Sequence, residues 1–111
     1  MEEINFEDWK KLDLRVGKVI EIERVPKTEK LYKLQVEIGL EKPIQIVTSL
    51  VPYYKEDEIM GKEIIVLANL KKAKFGGEIS EGMLLCAETE NGDKCVLLTT
   101  ERKIEPGTRI T

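Results

Sequence analysis

Histidine is absent from the 111 residues. Its absence removes the usual general base, the base of a Ser or Cys triad and the commonest metal ligand. Cysteine is almost absent: Cys86 and Cys95 have eight residues between them, which fits neither a CxxC redox pair nor a zinc knuckle. Each lies in an apolar run, where a free thiol behaves as a small hydrophobe, so both are expected as core filler. Long hydrophobic runs are missing too. The longest, residues 64–68 and 83–87, are five residues each, against about 20 for a membrane-crossing helix. The opening Met1-Glu2-Glu3-Ile4-Asn5 is acidic with no apolar stretch behind it, unlike a signal peptide. A cytoplasmic protein without a membrane partner is therefore expected. There is no excess of positive charge either. Eighteen Lys and Arg stand against 21 Asp and Glu, a formal net charge of −3, which excludes a protein that coats nucleic acid by bulk charge. Catalytic motifs are equally scarce. Gly76-Gly77 is not followed by Lys-Ser or Lys-Thr, Ser80-Glu81-Gly82 lacks the GxSxG frame, and no carboxylate pair stands out. No enzyme, catalytic residue, metal or cofactor is expected.

What is present is the pattern of a small β protein, one domain over residues 1–111. Residues 6–11 read as a short helical turn with Phe6 and Trp9 on one face, Trp9 being expected to plug one end of the fold. From Asp13 the period becomes two, with Leu14, Val16, Ile20 and Ile22 on one parity. Gly17 within this strand suggests a bulge or sharp coil, as when one strand serves both halves of a barrel. Tyr32, Leu34, Val36 and Ile38 alternate in a second strand, and Ile44–Thr48 forms a third. A small helical insert ending at Gly61 follows, then a buried strand over 63–68. Residues 83–89 and 94–99 form a hairpin-like pair around Asn91-Gly92-Asp93. The expected fold is all-β: a five-stranded Greek-key barrel of the oligonucleotide-binding (OB) type, with a short N-terminal helix and a small helical insert. A β-sandwich would give the same one-dimensional pattern.

Dividing the charge along the chain changes what the total says. Residues 64–77 carry +3 from Lys71, Lys72 and Lys74 with no acid, between neighbours 35–63 at −3 and 78–95 at −4. This basic loop ends in Phe75-Gly76-Gly77, a flexible tip where lysines can meet phosphates and the aromatic can stack a base. Lysines in an exposed loop can equally be mere solvated charge. A second basic region, containing Arg15, Lys18, Arg24, Lys27, Lys30 and Lys33, is interleaved with acids. Lys18, Lys30 and Lys33 are candidate phosphate contacts from it.

Asp13-Leu14-Arg15-Val16-Gly17-Lys18-Val19, Pro26 with Lys30-Leu31, and the block ANLKKAKFGGEISEGMLL (residues 68–85) resemble the tRNA-binding domain family. That family includes the C-terminal domain of many methionyl-tRNA synthetases, separate tRNA-binding proteins and the endothelial monocyte-activating polypeptide domain. The resemblance, from about residue 7 to the C-terminus, implies an OB barrel that binds tRNA through shape, without catalysis. It further implies a homodimer built by residues of about 100–111, and a possible aminoacyl-tRNA synthetase partner. By position, Asn69, Lys71, Ser80 and Met83 match the family's RNA-contacting block, with Lys74 in its basic loop. Met83 reads equally as groove or core. The chain departs from the family pattern at Val25, Gln45, Thr48-Ser49, Lys71-Lys72 and Gly76. Export chaperones share the resembled fold, so a peptide-binding dimer is the alternative.

Overall fold

The computed structural model describes residues 1–111. Strand β1 (Leu14–Arg24) serves two neighbours in succession. Its first half, Leu14–Lys18, runs antiparallel to β4 (Glu63–Leu67), and from Lys18 onward it runs antiparallel to β2 (Tyr32–Glu37). Such a crossover brings three backbones together, and Gly17 sits where they converge. A Cβ added there would lie 2.7 Å from Val36 and 2.9 Å from Val66, so the position tolerates no side chain. The bulge, expected at Gly17, lies instead between Val19 and Glu21. It reverses the parity: Val19 faces the core with no exposure, whereas Ile20 is only half-buried.

Strand β3 (Ile44–Thr48) pairs with β2, and β7 (Met83–Leu84) pairs with β4, giving the order β3-β2-β1-β4-β7. A seam between β3 and residues 80–81 nearly closes this sheet into a five-stranded barrel. Glu81 N–H donates to Gln45 O (2.7 Å), Gln45 N–H to Glu81 Oε1 (2.8 Å) and Val47 N–H to Ser80 Oγ (3.0 Å). Val19, Leu34, Val36, Ile46, Ile64 and Val66 fill the interior. The insert contributes helix α2 (Glu56–Ile59), whose Ile59 joins the core fully buried, contributing roughly 1.5–3 kcal/mol. Helix α1 (Phe6–Lys10) buries nothing. Trp9, expected as a plug, is 38% exposed and Phe6 69%, the core being already occupied by Ile59 and the strand residues.

Two strands expected to be long are short. Residue 85 interrupts the first, so Cys86–Glu88 (β8) pairs separately with Cys95–Leu97 (β9). This hairpin is fastened to the insert by tyrosines: Tyr53 OH donates to Gly92 O (2.7 Å), and Tyr54 OH accepts from Leu97 N–H (3.1 Å). Both free cysteines are half-buried against the core, and burial pushes the Cys86 thiol up to about 12. The C-terminal tail lies along the first half of β1, with Val16 N–H donating to Thr108 O (2.9 Å) and Ile110 N–H to Leu14 O (2.8 Å). Asp13 holds this arrangement. Its carboxylate takes two hydrogen bonds from Arg15, at 2.9 and 3.0 Å, and lies 3.5 Å from Arg109 Nε.

The hydrogen bond from Arg15 holds the Asp13 carboxyl below its ordinary range, with Arg109 adding to the effect. A lowered carboxylate pKa contributes stability above the unfolded value of about 3.9 and loses it as pH falls through the folded value. Asp13→Asn should therefore lower stability by about 1 kcal/mol at neutral pH. Thermal melts of the two proteins should differ by a constant amount from pH 6 to 8 and converge below about pH 4. The seam gives a second expectation. Ser80→Ala leaves the buried Val47 N–H without its acceptor, so it should cost about 1–3 kcal/mol in denaturant unfolding.

Candidate nucleic-acid interface

The basic stretch is not a flexible loop. Ala73–Phe75 (β5) and Glu78–Ser80 (β6) pair as a hairpin through Gly76-Gly77. Both glycines have positive φ, +57° and +85°, as a two-residue type I′ turn requires. Register sets the faces: Ala73 opposes Ser80 and Phe75 opposes Glu78, while Lys74 opposes Ile79 on the other side. Ser80 is buried in the barrel seam, so the Phe75 side turns inward and the Lys74 side turns to solvent.

Gly76 fixes where the hairpin tip rests. A Cβ there would come within 2.9 Å of Leu31 Cδ1 and of Thr28 Cγ2, and 3.4 Å from Val25 Cγ1. The tip thus packs directly on the loop joining β1 to β2, which carries Lys27 and Lys30. That loop is itself well ordered: Thr28 Oγ1 donates to Val25 O (2.7 Å) and Val25 N–H to Leu31 O (3.0 Å). Lys27 holds φ +64°, a left-handed backbone that costs a non-glycine residue about 1–3 kcal/mol. Two basic segments far apart in sequence therefore meet. Lys27, Lys30, Lys71, Lys72 and Lys74 are all exposed, and none makes an ion pair within the chain.

The remaining sequence candidates lie differently. Lys33 is already neutralised, 3.0 Å from Glu23 and 3.4 Å from Glu78, and the hydrogen bond to Glu23 raises its pKa. Lys18 sits at the strand crossover, opposite both Glu37 and Glu63, six residues along β1 from the strand end at Arg24, or about 20 Å. It is outside the cluster. Asn69 spends its amide on structure: Nδ2 donates to Lys11 O (2.7 Å) and Oδ1 accepts from Asp13 N–H (2.9 Å), tying α1 to the end of β4. Ser80 accepts from Val47 and donates to Gly82 O (2.7 Å), leaving no free hydrogen-bonding capacity at the surface. Asn69 and Ser80 thus position the basic hairpin from its two ends.

Phe75 and Met83 come together. With Leu31, Val47, Thr48 and Ser49 they line a cavity of about 160 Å³ at the foot of the hairpin. Met83 packs against the core and also lines the cavity. Leu31, Thr48, Ser49 and Lys27 were not among the sequence candidates. Thr48-Ser49 was visible only as a departure from the resembled pattern, and Lys27 only as one charge among alternating signs. A larger groove, about 730 Å³, has an apolar floor of Ile20, Ile22 and Met60 beneath Glu21, Glu23, Glu56 and Asp57. Lys33 also lines it, but its four acids prevail and repel polyanions, whereas no residue lining the smaller cavity is charged.

A family model described as "Putative tRNA binding domain" matches residues 14–109. A methionine–tRNA ligase of Archaeoglobus fulgidus is 50% identical over 98% of this chain, which spans only 16% of that ligase. The crystal structure of a MetRS-related protein from Pyrococcus horikoshii superposes with a TM-score of 0.92 at 36% identity, covering 100% of both chains. The chaperone CsaA of Bacillus anthracis superposes with a TM-score of 0.88 at 29% identity, over 99% of this chain and 100% of its own. The barrel, the hairpin block and these likenesses agree: the chain belongs to the tRNA-binding domain family.

Proposed function

We propose that residues 1–111 act as one non-catalytic OB-barrel unit that binds tRNA by its shape. One observation carries this reading: Gly76 seats the tip of the hairpin that follows Lys71 and Lys72 and carries Lys74 on the β1–β2 loop that carries Lys27 and Lys30, and none of these lysines has an ion-pair partner. Folded RNA offers regularly spaced phosphates and hides most base edges, so a rigid cluster of point charges suits it better than a base-reading helix. Lys30, Lys71, Lys72 and Lys74, joined by Lys27, neutralise phosphates, while Phe75 and Met83 meet a base or ribose. Asn69 and Ser80 set the hairpin's position. Lys18 and Lys33 act at most through the field, because acids face both.

The likeness to methionine–tRNA ligases suggests the synthetase in question: this reading includes a trans-acting partnership with a methionyl-type enzyme, and a cytoplasmic location is proposed with it. A homodimer through residues of about 100–111 also belongs to this reading. The backbone of 107–110 is bonded to β1 of its own chain, which leaves Ile104, 43% exposed, as the apolar anchor for a partner copy.

A second reading, a peptide-binding dimer of the same fold, draws on the likeness to CsaA and on the acid-rimmed groove, which would take basic polypeptide segments. Gel retardation with bulk tRNA separates the two. Replacing Lys71, Lys72 and Lys74 together by Glu should abolish retardation while the thermal melt stays intact. In wild type, affinity should fall with salt, and losing three phosphate contacts should flatten the log–log slope by about 2–3. Undiminished retardation by the triple variant would contradict the assignment, and copurified polypeptide in place of RNA would favour the second reading.

A further inference from the structure

The 160 Å³ cavity beneath the hairpin has a feature that packing alone leaves unexplained. Every Ser and Thr before the C-terminal residue donates a hydrogen bond from its hydroxyl within the chain, except Thr48 and Ser49. Both line this cavity. Thr48 is only 7% exposed, yet no polar side-chain atom sealed from solvent lacks a partner. Its hydroxyl therefore reaches solvent at the cavity and makes no hydrogen bond within the chain. Two hydroxyls without partners in the chain thus stand side by side at the cavity wall, each able to donate and accept.

We propose that Leu31, Val47, Thr48, Ser49, Phe75 and Met83 form a receptor for one unpaired nucleobase; this rests on the RNA-binding reading above. The volume argues for a single planar ring, being well under the roughly 300 Å³ at which pockets for drug-sized ligands begin. The walls suit a ring: Phe75, 40% exposed, offers a stacking face, with Met83 and Leu31 as further apolar surface. The floor suits a base edge. A hydroxyl both donates and accepts, so Thr48 and Ser49 can satisfy any of the four bases and impose little sequence preference. The rim selects the carrier of that ring. Gly76 brings Lys27 and Lys30 to the hairpin tip, two residues from Lys74, and none of the three has an acid partner. A ring attached to a polyanion is drawn there, whereas a basic or neutral polypeptide is not. Stacked bases inside an A-form helix cannot enter, so the bound RNA must present an unpaired base beside its phosphates. In this scheme the lysines hold folded RNA generally, and the pocket discriminates among folded RNAs.

The test compares bulk tRNA with a fully paired, blunt-ended RNA duplex of similar length, by fluorescence anisotropy over a series of ionic strengths. Three variants probe the pocket: Phe75→Leu, which keeps apolar bulk; Thr48→Val, which keeps shape; and Ser49→Ala. Phe75 and Ser49 are exposed, so those two variants keep the fold, and thermal melts verify all three. Wild type should prefer tRNA over duplex. That ratio should fall about tenfold in Phe75→Leu and about fivefold in Thr48→Val, with the salt slope unchanged. Ratios equal to wild type in Phe75→Leu and Ser49→Ala would overturn the pocket while leaving RNA binding by the lysines standing. Loss of affinity for an unfolded polypeptide in Phe75→Leu, with tRNA unaffected, would overturn it in favour of a peptide site. Wild type that binds neither RNA would overturn the RNA reading, and the pocket with it.

Discussion

The barrel depends on how closely β1 can pass its two neighbours at Gly17. With a side chain there, Val36 and Val66 could not both remain in van der Waals contact with the strand. The sheet would then not coil enough for one strand to leave β4 and join β2. The close crossing draws β3 and β7, the two ends of the sheet, towards each other. Ser80 and Glu81 then stitch β3 to the segment entering β7, through hydrogen bonds of 2.7 to 3.0 Å. The hairpin that carries the lysines grows directly out of this seam. Its position is inherited from barrel closure, and its tip is set by a second close approach, at Gly76.

Charge placement explains how an acidic chain can offer a cationic face. Acids are spent in two ways. Some neutralise half-buried cations, as Glu23 and Glu78 do for Lys33 and Asp13 does for Arg15. Others line the groove between the β1–β2 surface and α2. The lysines of the hairpin and of the β1–β2 loop have no such partners. They meet solvent ions of about 8 Å screening length at physiological salt, which confines their attraction to a ligand already near that rim. A net charge of −3 then acts in favour of selectivity, because a polyanion is repelled from the acid-lined groove.

Much of this was legible in the residues. Alternation located β2 and β3, the apolar run located β4, and Asn91-Gly92-Asp93 located the β8–β9 turn. The isolated +3 segment marked the hairpin proposed to meet RNA. Other features turned on tertiary facts that no local pattern carries. The bulge at Ile20 is invisible because an inserted residue leaves hydrophobic spacing plausible on both parities. Trp9 looked like a core residue by type, but α1 has no interior to face. Gly76 read as flexibility, whereas its lack of a side chain permits a 2.9 Å approach by Leu31 and Thr28. Asn69 and Ser80 are attributed to RNA through resemblance alone; their hydrogen bonds to Lys11, Asp13, Val47 and Gly82 could be known only from the fold. Thr48 and Ser49 stood out in the sequence only as a departure from the resembled pattern, and their lack of intrachain hydrogen-bond partners shows only beside the partners of the other hydroxyls.

The central claim is that two segments distant in sequence form one RNA-binding surface, and residue-resolved amide NMR during titration with tRNA tests it most directly. The account predicts that resonances of residues 27–31, 48–49, 71–77 and 83 shift together along a single binding curve, while the β8–β9 hairpin and the acid-lined groove stay unmoved. Shifts confined to Glu21, Glu23, Glu56 and Asp57, with the hairpin and the β1–β2 loop silent, would contradict it.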